Sequence, residues 1–402
     1  MSPIPTVEIP EEEFRSRVSR VRDFLASNGL GAALVYSEPW GHYWGQMGHV
    51  GYLSNFATRD RNVHSLVVVT VKDDPVFLFA GLPYLFGILK EFSWIRDVRN
   101  VAPVDPRAAA LPGGPTDFGR EVRAILEKRD LADASIALLG ADQMPLSLWK
   151  VLIASLPAER FVFPRDVVAD LRAVKSPREI LLLRAAAELC DLGYQTLTAA
   201  ARPGVRGYEV VAEMERTVRR EGADFVKYWF ISGPAQNWND TWPVVRPHSR
   251  KLEKGDQIIC GSYVAWKGYW AHGMRNGTIG RSPQHDSYAK VAMSIHRAAL
   301  AAFRPGAPAA DVVKAAIRTG RSHNFDLASP RIGHGIGLDY AEKPFMTDTN
   351  TDLLAPGMVA VIHSQLKLPD SGAFIVPLGD VCLVTDTGME LLCKFPMESF
   401  RL

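Results

Sequence analysis

The chain has 402 residues, more than one ordinary core accommodates and about right for two domains. Hydrophobic residues make up 47% and charged residues 22%, as in soluble globular proteins, and the net charge of +2 is spread without a basic run, which speaks against a nucleic-acid or membrane surface. Four scattered cysteines without a CxxC pair (Cys190, Cys260, Cys382, Cys393), an acidic, proline-broken start (MSPIPTVEIPEEEF) without a signal-peptide pattern, and no membrane-spanning apolar run lead us to expect a cytoplasmic enzyme or binding protein.

Residues 11–25 carry Phe14, Val18, Val21 and Leu25 at helical spacing. The short apolar runs at 31–36 (GAALVY), 65–70 (SLVVVT), 75–80 (PVFLFA) and 135–140 (SIALLG) read as buried strands of a mixed sheet, with a helix within 113–127. This is a small α/β domain. Beyond it, Ser176 is placed to cap a helix, Pro177 to open its first turn, and Glu179 to complete a capping box, so a long helix runs to about Ala201. The domain boundary falls just before it, giving domains 1–167 and 168–402.

The second domain repeats itself. Arg202-Pro203-Gly204 precedes a helix with Val210 and Val211, and Arg304-Pro305-Gly306 precedes one with Val312 and Val313, at an offset of 102 residues. The same offset carries Gly255 onto Gly357 and Ser262 onto Ser364. Helix, helix, strand thus recurs in order, and two such halves related by a pseudo-two-fold place a site between them.

Three segments carry a family resemblance: LRAVKSPREI in the linker, KLEKGDQII followed by KGY, and the series IGHGIGLDYAEKP, LLAPGMV and DVCLVTDTGMELL. They resemble the motifs of the creatinase / prolidase / aminopeptidase P family (M24), in order and at the expected spacing from about residue 165 to 395. The resemblance implies a creatinase-type α/β N-terminal domain and an α+β "pita-bread" C-terminal domain holding the pseudo-two-fold repeat. YLSNFATRDRNVHSLVV is similar to the segment that reaches a neighbouring subunit's site in creatinase-like dimers.

Peptidases of that family hold two metal ions with two Asp, one His and two Glu. Carried over position by position, these fall on Gly261, His272, His334, His363 and Gly379. Two hard cations need several charged oxygen donors, and two glycines with three imidazoles supply none. A dinuclear aminopeptidase is not expected. Creatinase and ectoine hydrolase resemble the peptidases in fold and cleave small non-peptide C–N bonds without metal. The creatinase catalytic His would fall on Val244 or near His248, and its two glutamates on Met274 and Gly379, so creatine itself is a poor substrate guess.

His272, His334 and His363 take the old metal positions, and three readings stay open. They form a metal-free proton-transfer cluster, with one imidazole taking a proton from water and another donating to the leaving nitrogen. They bind one Zn or similar ion with an open position. Or they are hydrogen-bonded structural residues. Glu342 reads either as a catalytic carboxylate that orients a histidine or as a surface or neighbouring carboxylate, and Asp380 as a partial replacement for the last Glu only if a bulge turns it inward. Trp229, Asn237, Trp238, Asp240 and Trp242 wall the pocket with flat and polar substrate-binding surface. Arg59 and Arg61, acting in trans, would clamp a carboxylate from a partner subunit. His42, His49, His64, His285, His296 and His323 show no convergent pattern and read as structural. The expectation is a homodimeric, metal-independent hydrolase that cleaves a C–N bond of a small metabolite by histidine acid–base catalysis. The alternatives are a mononuclear three-His metal enzyme, hydrolase or lyase, and an inactive ligand-binding homologue.

Overall fold

The computed structural model describes residues 7–37, 48–56, 63–81, 83–104, 113–234, 249–367 and 374–402. They fall into two units, Glu8–Arg172 and, with Val7, Ala173–Leu402, a division a few residues beyond the boundary placed from the sequence.

The first unit runs α1 (Glu11–Ser27), β1 (Ala32–Tyr36), α2 (Gly48–Ser54), β2 (Ser65–Thr70), β3 (Val76–Phe79), α3 (Pro83–Phe92), β4 (Asp97–Asn100), α4 (Phe118–Lys128), β5 (Ile136–Leu139), α5 (Leu146–Ile153) and β6 (Phe161–Val162). Its strands form a mixed sheet in the order β4-β3-β2-β1-β5-β6, with β1 antiparallel to β2 and parallel to β5. The apolar runs of the sequence are these strands, buried on both faces, as continuous rather than alternating hydrophobicity demands. Phe118, Val122, Ile125 and Leu126 of α4 close one side of the core over Leu34, Leu66 and Leu138.

The second unit begins at the end of α6 (Val167–Ala173), and Ser176 behaves as its neighbours dictate. Its hydroxyl accepts the Glu179 N–H at 3.2 Å and the Glu179 carboxylate accepts the Ser176 N–H at 2.9 Å, a complete capping box at the start of α7 (Pro177–Ala200). There follow α8 (Gly207–Arg220), β7 (Phe225–Pro234), β8 (Asp256–Trp266), β9 (Tyr269–Thr278), α9 (Pro283–Ala302), α10 (Ala309–Ser322), β10 (Asp326–Leu327), β11 (Arg331–Gly335), β12 (Glu342–Thr347), β13 (Val359–Lys367), β14 (Phe374–Val384), β15 (Met389–Leu391) and β16 (Phe400–Arg401). Among the described residues the sheet runs β12-β11-β13-β14-β9-β8-β7, with β10, β15 and β16 attached at its margins. No helix among the described residues is long and apolar enough to cross a membrane.

The repeat read from the sequence is present in three dimensions, bond for bond. Gly204 N–H donates to Leu252 O at 2.8 Å, and 102 residues on Gly306 N–H donates to Leu354 O at 2.8 Å. Both glycines sit in the left-handed region, at φ 89° and 76°, where a side chain would be strained. The isolated bridges Arg206–Lys251 and Pro308–Leu353 keep the same offset. So do two contacts between helix and sheet: Tyr194 of α7 donates to Ser262 Oγ at 2.9 Å, and His296 of α9 meets Ser364 Oγ at 3.1 Å. Helices α7 and α8 pack on β7–β9, and α9 and α10 on β12–β14.

Candidate active site

Strand alternation converts those contacts into a statement about faces. Ser262 and Ser364 point at the helices, so their neighbours Gly261, Tyr263 and His363 point the other way. Cross-strand partners share a face, and the register draws one row across the sheet: Trp229, Gly261, Met274, Gly379 and His363. Tyr263 and His272 form the adjoining cross-strand pair, and Val361, two residues from His363, pairs with His334. The three histidines therefore lie on one face, opposite the helices.

The His363 ring lies 5.7 Å from that of His272 and 5.5 Å from that of His334 between centroids. Tyr340 stands across from it, 5.3 Å from His272 and 4.8 Å from His334. Tyr263 stacks on His272 at 4.4 Å, touches Tyr340 at 5.2 Å, and is covered in turn by Trp229 at 5.1 Å. Tyr263 and Tyr340 are also hydrogen-bonded through their side chains.

Two of the tautomers are set by backbone carbonyls. His272 Nδ1 lies 2.7 Å from Ser262 O and His334 Nδ1 lies 3.0 Å from Gly335 O. A carbonyl only accepts, so Nδ1 carries the proton in each ring and Nε2 keeps its lone pair. His334 is fully buried, and its Nε2 has no hydrogen-bond partner among the described residues. Burial pushes His272 down to about 3 and His334 down to about 4, and burial together with the two neighbouring imidazoles holds His363 well below the ordinary histidine range. At neutral pH the cluster is three uncharged imidazoles. The sequence reading has one imidazole take a proton from water and another donate to the leaving nitrogen; in the resting protein desolvation disfavours the imidazolium form of all three.

A family model described as metallopeptidase family M24 matches residues 182–386, about half of the chain. The chain belongs to family M24. Among curated relatives, a putative dipeptidase, YkvY, of Bacillus subtilis (strain 168) is 25% identical over 95% of this chain and 99% of its own length. Creatinase of Bacillus sp. (strain B-0618) is 25% identical over 96% of this chain and 92% of its own. Among solved structures, the dipeptidase PepE from Mycobacterium ulcerans superposes with a TM-score of 0.79 at 23% identity, covering 98% of this chain and 99% of that one. The two-domain pita-bread fold expected from the motifs is the fold of this M24 chain.

The M24 dinuclear centre does not fit the residues present. A Cβ on Gly379 would lie 2.9 Å from Met274 N and 3.2 Å from His363 Cβ, so the position of the last Glu admits no side chain without a backbone shift. Gly261 has ordinary room around its Cβ but brings no donor. Among the described residues no group of three His, Cys, Asp or Glu is placed to hold a metal ion.

Two carboxylates considered from the sequence are engaged elsewhere. Glu342 pairs with Lys175, Nζ to Oε1 at 2.5 Å, with both side chains buried. There it neutralises a buried ammonium, and its charge also reaches His334. Asp380 points to the helix side, bonded to Arg275 at 2.7 Å and His296 at 3.0 Å, so no bulge turns it into the site. Arg275 also donates to Gly379 O at 2.7 Å and Met274 O at 3.0 Å, tying together the strands that carry the site row. Of the remaining histidines, His49 pairs with Asp166, His64 with Tyr36, and His285 with Asn276 and Ser399. Arg59, Arg61, His42, Asn237, Trp238, Asp240, Trp242, Val244 and His248 lie outside the described residues.

Tyr263 and Tyr340 were not anticipated. Tyr263 is the cross-strand partner of His272, and a strand pairing of KGDQII with the following KGY hairpin would have pointed to it. Tyr340 closes the GHGIGLDY motif, six residues after His334.

Proposed function

We propose that this M24 protein is a hydrolase of small non-peptide C–N bonds, of amide, amidine or lactam type, working without a resident metal. The observation that carries the reading is the His334 Nε2 lone pair, buried and unpartnered on the face where the family does its chemistry. The kinship with creatinase supports a non-peptide substrate, and the absence of a carboxylate at the five ligand positions supports metal independence.

In this reading a water molecule attacks the carbon of the C–N bond while its proton passes to His334 Nε2. The new C–O bond forms as the π pair moves onto the carbonyl oxygen or amidine nitrogen. On collapse the C–N bond breaks, and the same Nε2–H protonates the departing nitrogen. One residue thus serves as base and then as acid, which meets the absence of a standing imidazolium. Burial makes His334 a modest base but a strong acid once protonated, suited to a poor nitrogen leaving group. His272 and His363 contribute further acceptor atoms to the same face. The reading includes a homodimer in which the N-terminal domain, with Arg59 and Arg61, caps the partner's site, and a cytoplasmic location.

The test is twofold. Metal per chain is measured by mass spectrometry on untagged protein prepared without chelator, for wild type and His334→Ala. Small amides, amidines and lactams are then screened for amine or ammonia release. Sub-stoichiometric metal with turnover that His334→Ala abolishes is the expected result. A stoichiometric ion lost in the variant overturns the metal-free mechanism and revives the three-His metal reading. Saturable binding without turnover across the panel favours the inactive binding homologue.

A further inference from the structure

Arg331 opens β11, three residues before His334. The register pairs Arg331 with Thr347 and His334 with Phe345, so three steps on β11 oppose two on β12. That is a β-bulge, and it changes which way Arg331 faces. Thr347 and Phe345 are two residues apart and share a face of β12, so their partners Arg331 and His334 share it too. In a regular strand, a spacing of three would send the two side chains to opposite faces. The bulge brings a guanidinium to the histidine face.

Three further observations bear on that guanidinium. It is exposed, whereas His334 is fully buried. Its positive charge is felt at His334, His363 and Tyr340, where it opposes protonation of the two imidazoles and favours loss of the phenol proton. Among the described residues no ion pair holds it, and the hydrogen bond Arg331 makes outside the strand ladder is from its backbone N–H to Ser329 Oγ at 3.2 Å. Neighbouring charges are already matched: Lys175 with Glu342, and Arg275 with Asp380. Among the described residues, the face therefore offers imidazole lone pairs, aromatic surface and the uncommitted Arg331 cation.

We propose that Arg331 is an anion-binding residue of this site, and that the substrate is a small carboxylate-bearing molecule. Its carboxylate engages the Arg331 fork while an N–H or O–H of the same molecule, or the attacking water, meets the His334 lone pair. A planar guanidinium is matched to a carboxylate by geometry as well as charge. The proposal rests on the hydrolase reading for the site it uses and deepens it by naming the substrate class.

The experiment reads binding, not turnover. Two probe pairs differ only in charge: hippurate with hippuramide, and N-acetylglycine with N-acetylglycinamide. Their affinities are measured by calorimetry at low salt for wild type, Arg331→Gln, Arg331→Lys and the helix-side control Arg318→Gln. Wild type and Arg318→Gln are expected to favour the carboxylate of each pair about tenfold or more. Arg331→Gln brings each pair to parity, and Arg331→Lys keeps part of the preference. A wild type without preference for the carboxylates overturns the proposal, as does a preference that survives intact in Arg331→Gln. Because Arg331 is exposed, the substitutions leave the core untouched. A protein that prefers carboxylates but releases no amine from any substrate sinks the hydrolase reading alone.

Discussion

Tyr340 lies against two of the three histidines, its ring 5.3 Å from His272 and 4.8 Å from His334, and His363 neighbours the same two rings at 5.7 Å and 5.5 Å. The four rings close a circuit, and the phenol helps exclude water from the imidazoles it touches. If Tyr340 maintains their burial, Tyr340→Ala opens the circuit to water. The midpoints of His272 and His334, about 3 and about 4 in the intact protein, then rise toward the ordinary histidine value. Imidazole proton shifts followed by NMR titration check this. Midpoints that stay put would assign the burial to the sheet and not to Tyr340.

The same burial couples site and stability. In the unfolded chain these histidines titrate near 6.5, whereas His272 and His334 in the folded protein titrate at about 3 and about 4. Between those limits the unfolded chain binds protons that the folded one refuses. Stability is thus full above the unfolded value and falls as pH drops through the window down to the folded values. At pH 5 each of the two residues is expected to remove roughly 2 kcal/mol. Urea unfolding at pH 7 and pH 5 measures the loss. His272→Gln with His334→Gln should flatten the slope whatever its effect at pH 7. An equal slope in the double variant would place the titrating groups elsewhere.

Lys175 and Glu342 join the linker before α7 to the first residue of β12 through a buried ion pair at 2.5 Å. Removing one partner strands the other charge in the interior, which costs about 3–5 kcal/mol. Lys175→Met is expected to lower unfolding free energy by that order. Lys175→Met combined with Glu342→Gln should recover much of it, because no bare charge remains. If Glu342 instead acted directly on a proton in transit, Glu342→Gln would abolish turnover while barely moving stability. The ion pair leads us to expect the reverse.

The periodic and local features of the chain were readable from sequence because they are set by neighbours. The capping box at Ser176 needs only Ser, Pro and Glu in place, and the positive φ of Gly204 and Gly306 needs only a turn that repeats. Alternation also served well: it held that Asp380 faces away from His363's side unless a bulge intervenes, and none does. What escaped the sequence is tertiary. The bulge before His334 that turns Arg331 onto the site face depends on how β12 pairs with β11. The tyrosines read as ordinary strand or loop residues until cross-strand pairing placed Tyr263 on His272. Burial depth, which drives all three histidines neutral, belongs to the assembled sheet and not to any segment.

The two glycines at former ligand positions differ in what they tolerate, and this separates two histories of the site. At Gly261 a Cβ meets Trp229 Cβ and a Tyr263 ring carbon at 3.7 Å, which is ordinary contact. At Gly379 it meets Met274 N at 2.9 Å, a backbone atom that moves only with its strand. Gly261→Ala should therefore change unfolding free energy by less than about 1 kcal/mol, and Gly379→Ala should cost about 1–3 kcal/mol from overpacking. Denaturant unfolding of the two variants side by side decides it. Equal, small effects would mean that β9 and β14 can separate locally and that a carboxylate at residue 379 is sterically admissible. The expected asymmetry means that the sheet has closed over the last ligand position, so restoring an acidic side chain there would not by itself rebuild a metal centre.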